Sequence, residues 1–135
     1  PEIIAESITG TRVYGLAADG TPDRRPEPDF NVFYKKYASF PLTSHGVWCL
    51  TQMRRWGMIK EDKPDAWYQE IAAKTFRADL YRAAFASLLA EGLVQADELP
   101  AQDALSYPAE AFIDKIAFDP AKPNEYVAKF AVRKP

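Results

Sequence analysis

Apolar residues recur along most of this chain at helical rather than strand intervals, and the pattern is densest between Phe40 and Met58. At ~100° per residue, His45, Gly46, Cys49, Leu50, Met53 and Trp56 share one broad face, while Val47 and Trp48 point elsewhere. Large apolar groups on two sides predict a central helix wedged between neighbours, with Cys49, Met53 and Trp56 buried. Gly46 lowers helix propensity, so its presence predicts that another backbone passes close by. Pro41 keeps the approach extended, and Thr43 is the expected N-cap. Leu42 and Val47 then stand at the two positions of a hydrophobic staple. At the other end Gly57 suits a left-handed C′ position, from which Met58 folds back toward Met53.

Upstream, Pro1 to Ile8 predicts a short helix stopped by Gly10, with Ile3, Ile4 and Ile8 at helical spacing. Thr11 to Leu16 alternates as a short strand, and Ala18 to Pro22 reads as a turn. Pro22, Pro26 and Pro28 predict an irregular surface segment from Asp23 to Asp29, the best internal boundary. Phe30, Phe33, Tyr34 and Tyr37 then fall on one helical face, with Lys35 and Lys36 outside. This fits core packing better than a platform for stacking bases, because no basic surface surrounds it.

Downstream, Pro64 opens a helix with Trp67 and Ile71 on one face. A further helix from Ala78 to Glu91 carries the stripe Tyr81, Ala84, Phe85 and Leu88; Gly92 ends it and lets Leu93 meet Leu88. Its alanines allow a neighbour to approach closely. Val94 to Ser106 reads as a loop, and Pro108 begins a turn bearing Phe112 and Ile113. Asp119-Pro120 starts another turn, and Pro123 opens a last helix that includes Tyr126 and Phe130. No segment repeats internally.

At 135 residues, 47% of them hydrophobic, the chain is long enough for one domain with a real core. A net charge of −2 and only isolated basic doublets argue against nucleic acid or an acidic membrane as a general partner. No apolar run is long enough to insert in a membrane. No signal peptide is present, and a first residue of proline makes the chain read as part of something longer.

Chemistry-bearing constellations are sparse. His45 and Cys49 stand four apart on a helix, but no second histidine or cysteine exists to complete a metal site. As a nucleophilic pair they fare no better, because an apolar helix face raises a thiol's pKa and leaves Cys49 inert. No nucleophile elbow or glycine-rich phosphate loop occurs. Asp62, Asp65, Glu70, Asp79 and Glu91 are spread over helix ends, where Asp65 and Asp79 complement helix dipoles and none forms an acid/base couple. Neither catalysis nor a cofactor is expected. Ser44 and His45 remain as ligand-binding candidates, because the first turn of a helix offers free N–H groups and a favourable dipole to a small anion. The competing reading is that Thr43 simply caps the helix.

One set of residues carries a resemblance. Phe33-Tyr34, Ala38-Ser39-Phe40-Pro41, Ser44-His45, Trp48, Leu50-Thr51-Gln52-Met53 and Arg55-Trp56-Gly57 resemble the C-terminal region of nitrate/nitrite/bicarbonate-type ABC-transporter substrate-binding proteins. Arg77 to Ala84, Phe112-Ile113-Asp114, Phe118-Asp119-Pro120, Tyr126 and Phe130 continue it in the family's order. Leu42 departs from it, standing where a tryptophan is expected.

The resemblance implies a mainly α fragment with a few short strands, part of a two-lobed α/β periplasmic-binding-protein-like (type II) fold. It implies a single domain over 1–135, with 1–28 an irregular lead-in and 29–135 a helical core. By the same resemblance the parent captures a small inorganic anion (nitrate, nitrite or bicarbonate) by lobe closure and delivers it to an ABC permease from the periplasmic side. The main pocket would lie upstream of this chain, leaving Ser44 and His45 at its edge. The alternatives are a cytoplasmic nitrate/nitrite sensor of the same fold that restrains an RNA-binding antiterminator, or an unrelated helical interaction module or enzyme on the same scaffold.

Overall fold

The computed structural model describes residues 10–27, 32 and 35–132. Two compact units divide between Ser39 and Phe40. The predicted helix at Pro1–Ile8, and Phe30, Phe33 and Tyr34 of the aromatic face, lie outside the described residues.

The first unit contains an antiparallel hairpin of β1 (Thr11–Leu16) and β2 (Pro22–Pro26), paired Thr11 to Pro26, Arg12 to Arg25 and Val13 to Arg24. Asp23 to Pro26 was expected to be irregular and is instead strand. The reason is that a two-stranded ribbon has only edges, where proline's missing N–H is tolerated, and both prolines sit at the ends of β2. The turn forms as expected: the Asp19 carboxylate accepts from the Thr21 N–H and hydroxyl at 3.0 and 2.7 Å, and Gly20 takes φ +83. Arg25 pairs with Asp23 and lies 5.0 Å from the centre of the Tyr14 ring. Lys35–Tyr37 is a single 3-10 turn rather than the end of a helix. Lys36 and Tyr37 adopt φ of +57 and +61, which a right-handed helix cannot continue.

The second unit is helical. It comprises α1 (Thr43–Arg55), α2 (Asp65–Thr75), α3 (Ala78–Ala90) and α4 (Pro123–Val127), with 3-10 turns at Ala96–Glu98 and Ala109–Ala111. α1 packs on α2 and α4, and the core gathers Val47, Tyr68, Ala72, Phe118 and Tyr126. An isolated bridge, with backbone bonds of 2.9 Å in both directions, ties Tyr107 to Phe118 and brings the last third of the chain onto α1.

α1 is central, as its pattern predicts, but its faces are placed differently. Ser44, Val47 and Thr51 are buried, whereas Cys49, Met53 and Trp56 are exposed, Trp56 by 58%. The choice of face fails because Trp48 and Arg55, which look amphipathic in sequence, are covered by the aromatics of the C-terminal segment. α2 is likewise turned by one residue: Tyr68 and Ala72 are buried, while Trp67 and Ile71 are only partly covered.

Gly46 is a contact point, with side chains rather than backbone. A Cβ built there would lie 2.7 Å from the Phe76 ring and 2.9 Å from the Ala72 methyl. The C-terminus of α1 closes as expected, with Gly57 at φ +79 and the Met58 N–H donating to the Met53 carbonyl at 2.9 Å. α3 ends the same way, through Gly92 and the 3.0 Å bond from the Leu93 N–H to the Leu88 carbonyl. Of its expected stripe, Phe85 is buried, Tyr81 half-buried, and Ala84 and Leu88 exposed.

Candidate functional site

The start of α1 is built by a segment sixty residues away. Leu42, not Thr43, is the N-cap, in extended conformation and with no side-chain cap. Thr43 lies inside the helix, and its hydroxyl donates instead of accepting: its N–H and Oγ1 both bond the Asp103 carbonyl, at 2.8 and 2.9 Å. That carbonyl puts a partial negative charge where the helix dipole favours one. The helix start is therefore already met by a group of the protein itself.

Arg82 of α3 holds this capping loop in place. Its Nε donates to the Asp103 carboxylate at 2.8 Å, another guanidinium nitrogen donates to the Pro100 carbonyl at 2.8 Å, and the group stands 5.0 Å from the centre of the Phe40 ring. Phe40 in turn meets Tyr81 edge-on at 5.2 Å. Replacing Arg82 with methionine keeps much of the stem's packing but removes the fork. We expect it to cost about 1–2 kcal/mol, more than an exposed ion pair alone, because a backbone carbonyl also loses its donor. Urea unfolding of the variant checks this. Sequence reading missed Arg82 and Asp103, whose partnership across 21 positions leaves no local signal.

The two candidate ligand residues part company. Ser44 is fully buried, and its hydroxyl has no hydrogen-bond partner among the described residues. His45 is exposed, with Nε2 2.8 Å from the Tyr107 hydroxyl and its ring stacked on Tyr107 at 5.9 Å. Neighbouring residues on a helix diverge by ~100°, so the two do not converge on one point.

From His45 a run of rings follows α1 toward its C-terminus. Tyr107 meets Phe112, Phe112 stacks on Trp48 and tilts against Tyr126, and Tyr126 packs edge-on to Phe118 and Phe130, both at 5.1 Å. Arg55 closes the run, 3.9 Å from the centre of the Phe130 ring. The Trp48 indole N–H donates to the Tyr126 hydroxyl, which reaches Asp114, each at 3.4 Å; burial raises the Tyr126 pKa above its ordinary value. These rings fill their own space and form a rigid seam.

Asp65 and Asp79 each have a partner within the protein. Asp65, in the first turn of α2, accepts from the Asn124 N–H at 3.0 Å and joins α2 to α4. The hydrogen-bonded Arg77 guanidinium lowers Asp79 from 3.8 to about 2, so its contribution to stability is present above the unfolded carboxylate range and is lost as pH falls toward 2. Among the described residues no cluster of three or more His, Cys, Asp or Glu is placed to hold a metal. No helix there is long and apolar enough to cross a membrane.

No protein-family model matches the chain. It is 34% identical over 134 residues to the nitrate/nitrite binding protein of Nostoc sp. (strain PCC 7120), a match covering 97% of this chain and 27% of the relative. The protein of that name from Synechococcus elongatus is 34% identical over 95 residues, covering 70% and 19%. A nitrate import ATP-binding protein of Synechococcus elongatus is 30% identical over 122 residues, covering 90% of this chain and 16% of the relative. The chain thus spans about a quarter or less of the length of these relatives. Along nearly its whole length, the chain is similar to nitrate/nitrite binding proteins and matches a C-terminal region of them.

Proposed function

We propose that this chain is a scaffold portion of a solute-binding protein for a small inorganic anion of the nitrate, nitrite or bicarbonate class. The near full-length match to a nitrate/nitrite binding protein carries this reading. The parent holds its anion without covalent chemistry, by closure of two lobes, and passes it to an ABC permease from the periplasmic side. The names of the relatives speak of binding and import, which favours transport over the reading as a sensor restraining an antiterminator.

In this reading most of the pocket lies outside the 135 residues, and Ser44 and His45 contribute at its edge. The helix start supports that division, because the Asp103 carbonyl already takes the N–H and hydroxyl of Thr43. An exposed helix dipole supplies only about 0.3–1 kcal/mol, against the ~8 kcal/mol of micromolar binding. Calorimetry on the chain alone is therefore expected to show no measurable uptake of nitrate, nitrite or bicarbonate, whereas a full-length binding protein titrates. Tight binding by the chain, abolished by His45→Ala or Ser44→Ala, would move the pocket here and end the scaffold reading.

A second reading is favoured by the match to a nitrate import ATP-binding protein, which takes in 90% of this chain. There the same scaffold would be a module attached to a nucleotide-binding subunit. The chain has no glycine-rich phosphate loop, so it is not expected to bind ATP in either setting.

A further inference from the structure

We draw no further inference here: the strongest candidate, the apolar groove of about 410 Å³ between α3 and residues 96–101 with Arg82 as its one charged lining side chain, carries no ligand because Arg82 is already paired with Asp103 and the Pro100 carbonyl and nothing in the structure shows what covers the apolar walls.

Discussion

Replacing Phe118 with alanine is expected to destabilise the protein by about 3–5 kcal/mol, the range for removing a large aromatic from a core. Phe118 is 1% exposed and stands edge-on to Tyr126 at 5.1 Å, beside Val47 and Tyr68 in the core. Its backbone also forms both bonds of the bridge to Tyr107, so collapse around the lost ring is limited by a fixed main chain. A small domain has only about 5–15 kcal/mol in total, so the variant should unfold at a much lower urea midpoint or fail to fold at 37 °C. Ile113→Ala is the matched control. That side chain is fully exposed, and its loss is expected to stay within about 0.5 kcal/mol. Equal effects of the two changes would mean that the core is not where it is described.

Gly46→Val is expected to cost about 2–3 kcal/mol, against the direction of helix propensity, which favours almost any residue over glycine. The added Cβ would come within 2.7 Å of the Phe76 ring and 2.9 Å of the Ala72 methyl. Neither neighbour is the loose end of a long side chain: one is a ring and the other is fixed to the α2 backbone. Overpacking of this kind costs about 1–3 kcal/mol, and a β-branched residue stands at the upper part of that range. Phe76→Leu in the same chain should recover part of the loss. Stabilisation by Gly46→Val would show that α1 and α2 do not approach as closely as described.

What could be read from the sequence was what depends on neighbours along the chain. Gly57 and Gly92 end their helices as expected, because only glycine takes the left-handed C′ position without strain. Asp65 and Asp79 do lie in first turns. The identity of α1 as the central helix was also legible, from apolar groups on more than one side. Its orientation was not. Periodicity ranks positions by side-chain type, yet Trp48 and Arg55 are covered because Phe112, Tyr126 and Phe130 arrive from far along the chain. The same limit hid that Thr43 bonds the Asp103 carbonyl instead of capping the helix, since a backbone carbonyl carries no sequence signature. Prolines misled at β2, where a lone ribbon accommodates at its ends what an inner strand would not. Of the candidate site, the helix start was found, but that Ser44 is buried and His45 tied to Tyr107 required the fold.

The bridge between Tyr107 and Phe118 has a consequence for the order in which the protein can be made. Trp48 and Tyr126 are 78 positions apart. At a synthesis rate of about 5–20 residues per second, α1 leaves the ribosome roughly 4–16 s before the aromatic segment that covers one side of it. During that interval Val47 lacks Phe118 and Tyr126, Trp48 lacks Phe112, and the nascent helix offers an apolar side to any chaperone or neighbouring chain. Completion of the core is thus a late event, set by the arrival of the last third of the polypeptide rather than by the folding speed of the helix it closes.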